Sequence, residues 1–327
     1  MNSRFRPIYL TLLVALGGLL PMAASAATTQ SFQISPPTAN YPADPGADVQ
    51  GKIKVTNLSD VAIELKVGKQ NFVAKGEEGE IELVDNANPL YSLAPWFTPA
   101  ADTIQVPARG TKEIGYSIAV PAGAEPGGRY GSIVFSSVPP KLPSGVSGAT
   151  VQQTLAGVVF LRINGAANEQ LTVASFQTGK AKTGPKPAAN VFSPATFFET
   201  GPIDLMTRVK NTGSVHEKPV GTITIKNMFG FTVAKIPLDE HYVIPGAIRR
   251  LHNTWAPKGP IPLIGRYTAE VAGTYAGGKT LAAKTTFTVV PYKLLAAVLI
   301  GLILLVVIVR KGRKRLGRAA RILAGRE

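Results

Sequence analysis

Apolar and polar residues alternate along most of this chain, and glycine, proline, asparagine and aspartate interrupt the alternation every few residues. The alternating part covers residues 28–290, and its clearest face is Val61, Ile63, Leu65 and Val67. A period of two places successive side chains on opposite faces of a β-strand, whereas a helix needs a period near 3.6. Many short strands with turn residues between them predict an all-β fold built from antiparallel β-sandwiches.

Two apolar runs do not alternate, and these predict strands that are buried on both faces. They are Ile133–Phe135 and Val158–Leu161. Further alternating faces are predicted at Ile53 and Val55; at Ile114, Tyr116, Ile118 and Val120; at Tyr267, Ala269 and Val271; and at Thr285, Phe287 and Val289.

The chain has 327 residues, which is enough for two domains of common size. The strand pattern stops at Asn164–Ala167 and restarts at Leu171. This break predicts an N-terminal β-sandwich over residues 27–166 and a second, immunoglobulin-like sandwich over residues 167–290. Residues 139–149 and 179–189 are rich in proline and other turn or polar residues and are expected to form loops.

A short internal repeat favours two tandem modules of the same kind. In each module a strand ends in Val-x-Asn, first at Val55-Thr56-Asn57 and again at Val209-Lys210-Asn211. We expect each asparagine to open a turn by bonding its own backbone.

Residues 1–26 have the three parts of a secretory signal peptide. They are Arg4 and Arg6, an apolar run from Ile8 to Leu20, and the small residues Ala24-Ser25-Ala26 before the expected cleavage site. An uncleaved anchor is the alternative, but the apolar run is short for one.

Residues 291–309 are predicted to form one transmembrane helix. The run Leu294–Val309 holds neither a charge nor a proline. At 1.5 Å per residue it spans about 24 Å, so Lys293 and Arg310 must extend their charged ends to the two membrane surfaces. A buried core helix is the alternative, which we disfavour because a globular helix does not need so unbroken an apolar surface.

The residues after this helix predict its orientation. Eight of residues 310–327 are lysine or arginine, and short basic flanks stay on the cytoplasmic side. We therefore expect a single-pass protein of the cell membrane with its body outside and its C-terminus in the cytoplasm. Leu316, Ala319, Ala320 and Leu323 recur at helical spacing, so the tail is either a plain topology signal or an amphipathic helix on the anionic inner leaflet.

The N-terminal module resembles that of the WxL-interacting proteins, which are cell-surface proteins of Gram-positive-type envelopes. The matching segments are Phe32–Pro37; Val55, Asn57 and Ser59; Val106–Thr111; and Pro121–Ile133. The resemblance implies a peptidoglycan-binding N-terminal module and a second module that binds partner or host proteins. Trp96 and Trp255 are not in W-x-L sequences, which fits the anchoring side of such a system.

Composition excludes several classes of protein. The chain has no cysteine, so disulfide scaffolds, thiol enzymes, lipoproteins and cysteine-ligated zinc sites are ruled out. The formal charge of +15 comes mostly from the two ends, because residues 27–292 hold 24 basic and 19 acidic residues. A nucleic-acid-binding domain would carry its basic stripe on the folded part, so no nucleic-acid partner is expected.

We find no catalytic or metal-binding motif and expect no enzyme activity, metal or cofactor. The three histidines are isolated, apart from Asp239-Glu240-His241, which is more typical of a solvated turn. Glu77, Glu78, Glu80, Glu82 and Asp85 surround a turn between two predicted strands. Paired carboxylates can hydrolyse sugars, but on a solvent face no burial raises the pKa of either one. A charged hairpin is favoured, and weak cation binding is the alternative.

Three aromatic residues are the best candidates for ligand binding. Tyr91, Trp96 and Phe97 lie in an irregular stretch whose rings could stack on sugars or peptides. Burial at one end of the sandwich is the competing interpretation. Two further groups are candidate binding patches: Phe192, Phe197 and Phe198, and the segment Asn227–Phe231. For both groups, packing in the core or at strand ends is the favoured interpretation.

Together these features predict a non-catalytic binding or adhesion protein of a bacterial envelope, anchored by one membrane span. Its partner would be cell-wall glycan, including peptidoglycan, or a surface protein. The alternative is an accessory or chaperone-like subunit of an envelope enzyme or secretion complex that uses an exposed strand edge.

Overall fold

The computed structural model describes residues 31–139, 151–180, 192–257 and 263–323, and of residues 314–323 it describes the backbone. The predicted signal peptide, most of the two predicted loops and the end of the basic tail lie outside these residues. Two β-sandwiches and one C-terminal helix make up the described chain. The prediction of an all-β fold with two immunoglobulin-like sandwiches and an apolar C-terminal helix is confirmed.

The first sandwich contains ten strands: β1 Phe32–Ser35, β2 Thr38–Ala43, β3 Asp48–Asn57, β4 Ile63–Lys75, β5 Glu80–Val84, β6 Phe97–Pro99, β7 Thr103–Val106, β8 Thr111–Ala119, β9 Gly127–Ser137 and β10 Thr154–Ile163. One sheet has the order β1-β3-β8-β6. The other has the order β2-β10-β9-β4-β5, with β7 also paired to β4.

The second sandwich contains eight strands: β11 Leu171–Lys180, β12 Phe197–Phe198, β13 Ile203–Asn211, β14 Val220–Asn227, β15 Thr232–Pro237, β16 Ile248–Trp255, β17 Gly265–Tyr275 and β18 Lys279–Val289. Its sheets have the orders β11-β13-β16 and β12-β18-β17-β14-β15. The strand β15 therefore ends the larger sheet.

Two strand pairs are parallel, although the sequence pattern predicted antiparallel pairing. They are β2 with β10 and β12 with β18. In each sandwich the first strand, β1 or β11, belongs to one sheet. The next strand, β2 or β12, belongs to the other sheet, where it runs parallel to the last strand of the sandwich, β10 or β18. A period of two in the sequence is compatible with both directions, so the pattern could not separate them.

Each sandwich has its own buried core, and the predicted alternating faces supply it. Ile63, Leu65 and Val67 are buried in the first core, as are Ile114, Tyr116 and Ile118. Tyr267, Ala269 and Val271 are buried in the second. The prediction of a buried face is wrong for Val61, which precedes β4 and is exposed.

The helix α1, Tyr292–Leu323, follows β18 after Pro291. Its first 22 residues, Tyr292–Arg313, are long and apolar enough to cross a membrane, and the most apolar part of this stretch is not buried against the rest of the protein. At 1.5 Å per residue these 22 residues span about 33 Å, which is close to the thickness of a bilayer core. The helix continues without a break past the predicted end at residue 309 into the basic tail.

Candidate functional site

The predicted ligand-binding residues lie on the irregular chain between β5 and β6. Trp96 ends a short 3₁₀ helix, Ala94–Trp96, and Phe97 begins β6. The buried side chain of Asn71 on β4 holds this segment, because its oxygen accepts hydrogen bonds from the N–H groups of Leu93 and Ala94 at 3.0 and 2.9 Å. The segment is therefore fixed on the sandwich rather than free in solvent.

Phe97 is a packing residue. It is fully buried, and its ring centroid lies 5.3 Å from that of Tyr116. Lys69 donates a 2.6 Å hydrogen bond to its carbonyl oxygen. Because the ring offers no open face, the predicted contact of Phe97 with a ligand is corrected to a role in the core.

Trp96 is half-buried and borders an open cleft of about 290 Å³. The polar groups of this cleft come from Asn71, Asp85, Asn86 and Ser92. The guanidinium of Arg129 lies 5.5 Å from the centre of the indole, within the range of a cation–π contact. An aromatic edge with amide, hydroxyl and carboxylate groups around it can hold a sugar or a short peptide.

Arg129 is the polar residue of this region that the sequence did not single out. It is buried on β9, and its Nη atoms donate only to the carbonyl oxygens of Gly128 and Glu125, while Nε has no partner among the described residues. Burial lowers its pKa, against the weaker raising effect of Glu125. Its neighbours in the sequence do not mark the residue, because the indole that it contacts belongs to a distant part of the chain.

Tyr91 belongs to a different environment from Trp96. Its ring lies 6.2 Å from that of Tyr130, at the edge of an aromatic cluster that also contains Phe72 and Phe160. This cluster covers the outer face of β9 and β10, so these strands are buried on both faces as predicted. The covering residues Tyr242 and Ile244 come from the second sandwich, and the cluster therefore joins the two sandwiches.

His216 is the centre of this junction. Its ring stacks on Phe160 at 5.1 Å, Nδ1 accepts from the hydroxyl of Tyr130 at 3.3 Å, and Nε2 donates to Asn40 Oδ1 at 3.0 Å. Burial, and secondarily the charge of Arg162, lowers the pKa of His216 to about 4. The residue is a neutral, structural histidine at pH 7.

The acidic turn between β4 and β5 also reaches the second sandwich. Glu77 binds Arg208 through both carboxylate oxygens and accepts a 2.8 Å bond from Arg250 Nε. Glu78 accepts a 2.9 Å bond from Arg250 Nη1. The predicted hairpin is confirmed, with Glu80 and Glu82 exposed, and the carboxylates of Glu77 and Glu78 form ion pairs with arginines of the second sandwich.

A small cavity of about 60 Å³ lies inside this junction. It is lined mainly by apolar groups of Phe72, Phe160, Tyr242 and Ile244 and by Arg249.

Other candidate groups for chemistry are dispersed. Within the described ranges no group of three histidine, aspartate or glutamate side chains could hold a metal ion. In Asp239-Glu240-His241 the histidine contacts Asp239 at 3.2 Å, while Glu240 pairs with Lys218 at 2.7 Å.

The two remaining aromatic groups pack only in part. Phe198 is buried in the second core, which confirms its predicted packing role, whereas Phe197 is exposed and the same prediction is wrong there. In the segment Asn227–Phe231, Phe229 and Phe231 are strongly exposed, so the prediction of packing at a strand end is wrong there.

No family model matches the chain, and no curated protein sequence matches it. Solved structures do align with it. The class 5 fimbriae chaperone CfaA is 12% identical, with 79% of this chain and 99% of that chain covered at a TM-score of 0.37. The Escherichia coli chaperone DraB is 11% identical, with 79% and 97% covered at a TM-score of 0.35. A chain from a chaperone–tip adhesin complex of CFA/I fimbriae is 12% identical, with 78% and 98% covered at a TM-score of 0.38.

Because these TM-scores are below 0.5, the alignments do not indicate what this chain binds. The resemblance to the WxL-interacting proteins likewise stays a prediction.

Proposed function

We propose that this chain is a non-catalytic protein of a bacterial cell surface, anchored by α1, that binds another protein by strand addition to β15. The observation that carries the proposal is the open edge of β15. This strand pairs with β14 on one side and with no described strand on the other. An extended segment of a partner can add to such an edge through backbone hydrogen bonds.

The hydrogen bonds between β14 and β15 show which backbone groups of β15 point outward and can bond to a partner strand. The N–H of Leu238 donates to Gly221 O at 3.0 Å, across β14. In an antiparallel ladder every second residue bonds to the neighbouring strand, so Lys235 turns its N–H and C=O away from β14. Pro237 occupies another outward position, where its missing N–H costs the sheet nothing. A partner strand should therefore pair around Lys235 and carry an acidic residue near that side chain.

The membrane anchor is supported by the surface of α1. Its apolar side chains from Leu294 to Val309 are exposed in the described structure. Leaving so much apolar surface in water is unfavourable, while a bilayer removes it from water. Together with the basic residues that follow, this favours a body outside the cell and a cytoplasmic C-terminus. Protease added to intact cells should digest the body and spare the tail, and the reverse pattern contradicts this topology.

A photo-crosslinking amino acid at Val233 tests the strand addition. In cells that express the full chain, we expect one discrete adduct with an envelope protein, and Lys235→Pro should remove it because proline blocks the outward hydrogen bond. The matched control is the same probe at Ala272, which is exposed on the central strand β17. Equal adducts at both positions, or an adduct that survives Lys235→Pro, contradict the proposal.

A second candidate function is glycan binding at the Trp96 cleft. The half-buried indole and the polar groups of Asp85, Asn86 and Ser92 are what favours it. In a sedimentation assay with insoluble cell wall, loss of a stacking ring worth about 1.4 kcal/mol should weaken binding of Trp96→Ala about tenfold. The control is Leu90→Ala, an exposed apolar residue of the same loop. Equal retention of the two variants contradicts a glycan site at Trp96.

A further inference from the structure

The turn between β14 and β15 exposes three large apolar side chains. Met228 is 58% exposed, Phe229 75% and Phe231 69%. Single exposed apolar residues are common on soluble proteins, but three within four positions at the tip of a hairpin form a patch that indicates a contact surface. We name residues 228–231 the apolar tip.

The backbone of the apolar tip is bonded within itself. Asn227 Oδ1 accepts from the N–H groups of Phe229 and Phe231 at 3.1 and 3.0 Å. The N–H of Gly230 donates to Asn227 O at 2.9 Å, and the N–H of Asn227 donates to Phe231 O at 2.9 Å. Unbonded backbone groups make entry into an apolar medium unfavourable, and three of the four N–H groups of the apolar tip already donate within the turn.

The register places the apolar tip at the end of the sheet where α1 begins. β14 and β18 both run antiparallel to β17, so they point in the same direction. Asn227 lies opposite Tyr267, and Gly265 lies opposite Val289. The tip is therefore level with Val289, three residues before α1 starts at Tyr292. Two strand spacings, or about 10 Å, separate it from β18 across the sheet.

Other residues at this end of the sheet have matching character. Ile264 and Phe197 are each 52% exposed, and Phe197 lies opposite Thr288 on the edge strand β12. Arg266, next to Gly265 on β17, is exposed and can meet lipid phosphates. An apolar front with an arginine behind it is the pattern of a segment that enters the lipid interface.

We propose that the apolar tip inserts into the outer interface of the membrane that α1 crosses and forms a second membrane contact of the same chain. This inference rests on the proposed membrane anchor. With two contacts, one at α1 and one at the tip, the second sandwich is held at a defined tilt instead of pivoting about Pro291. The outward edge of β15 then lies just above the lipid surface.

The absence of cysteine makes a site-specific test direct. The full chain carrying Phe229→Cys, labelled with an environment-sensitive fluorophore, is reconstituted into vesicles of phosphatidylcholine and phosphatidylglycerol. We expect blue-shifted emission that a nitroxide near the lipid carbonyl groups quenches. The control label is at Thr280→Cys, at the opposite end of the β17–β18 pair, where emission should be water-like and unquenched.

A third label separates this proposal from the membrane anchor itself. A label at Ile300→Cys, inside α1, reports whether the helix is in the bilayer. Quenching at residue 300 with water-like emission at residue 229 overturns the tip insertion and leaves the anchor standing. No quenching at residue 300 overturns the anchor, and the tip proposal with it. A blue shift at residue 229 without lipid quenching indicates contact between protein copies and also overturns the tip insertion.

A substitution of the neighbouring ring completes the test. Phe231→Ser in the Phe229→Cys background should reduce lipid quenching at least twofold, because the tip then loses its one remaining aromatic ring. Val220→Ser is the matched control, since Val220 is exposed at the far end of the same strand. If quenching is equal in the two variants, the apolar side chains do not hold the tip in the lipid.

Discussion

At the scale of single residues, two asparagines do the same work in the two sandwiches. Asn57 accepts from the N–H of Ser59 and donates to the carbonyls of Val61 and Pro107 at 2.7 and 2.9 Å. Asn211 accepts from the N–H of Gly213 and donates to the carbonyls of Val215 and Val243, both at 2.7 Å. Each side chain closes its turn and ties it to a distant segment. The predicted bonding of each asparagine to its own backbone is confirmed.

Asn211→Ala should therefore destabilise the protein. The substitution leaves the carbonyl of Val215 and the N–H of Gly213 without a partner, while the carbonyl of Val243 keeps its bond from the N–H of Glu217. The expected cost is about 1–3 kcal/mol. Denaturant unfolding of the detergent-solubilised chain measures it. Asn164→Ala is the control, because Asn164 makes an exposed bond to Asp44, and its loss should change stability by less than about 0.5 kcal/mol. Equal effects of the two substitutions contradict a structural role for Asn211.

At the scale of secondary-structure elements, the β4–β5 hairpin connects the sandwiches. Its turn lies against β13 and β16, where Glu77 contacts Arg208 and Arg250. The backbone adds a 2.9 Å bond from the N–H of Arg250 to Glu77 O. Hydrogen bonds first from Arg208 and then from Arg250, with the charges of both, keep the pKa of Glu77 below its usual value.

Glu77→Gln should lower stability by about 2 kcal/mol, because an uncharged amide cannot satisfy two partly buried guanidinium groups. In calorimetry this corresponds to a lower melting temperature by about 5 °C. Glu80→Gln serves as the matched control, since Glu80 is exposed on the same hairpin. The same melting temperature for both variants means that the hairpin does not hold the sandwiches together.

At the scale of the whole molecule, the junction gives the protein a dependence on pH. His216 is buried between the sandwiches with a pKa of about 4, against a usual value of 6.5. The unfolded chain therefore binds the proton more tightly than the folded chain. This contribution is fully present above pH 6.5 and is lost as the pH falls from 6.5 toward 4, by about 3 kcal/mol in total.

His216→Gln should remove this part of the pH dependence. Between pH 7 and pH 4 the wild type should lose about 3 kcal/mol more than the variant in denaturant unfolding. Burial, and then the charge of Glu169, raises the pKa of Glu217. This shift makes the folded protein more stable at low pH, opposite to the effect of His216, so the wild type must be compared with the variant. Tyr242→Phe is the control, since it keeps the ring that buries His216 and should keep the wild-type slope. Parallel pH profiles for wild type and His216→Gln contradict the assignment.

The sequence was sufficient for the features that depend on neighbouring residues. The period of two identified the faces of β4, β8 and β17, and the Val-x-Asn repeat identified the two asparagine turns. The apolar run before the arginines identified α1. In each of these cases, the determining physical property is local: side-chain alternation, turn chemistry or continuous apolarity.

Only the tertiary structure decided which of these local elements meet. Glu77 is 131 positions from Arg208 and 173 from Arg250. The sequence around each residue does not indicate that the three side chains meet. The same holds for the burial of Phe97 and the exposure of Phe229, which are both phenylalanines next to a turn. Alternation says which side of a strand is apolar, but the strand order decides whether a neighbouring sheet, the other sandwich or open space lies on that side.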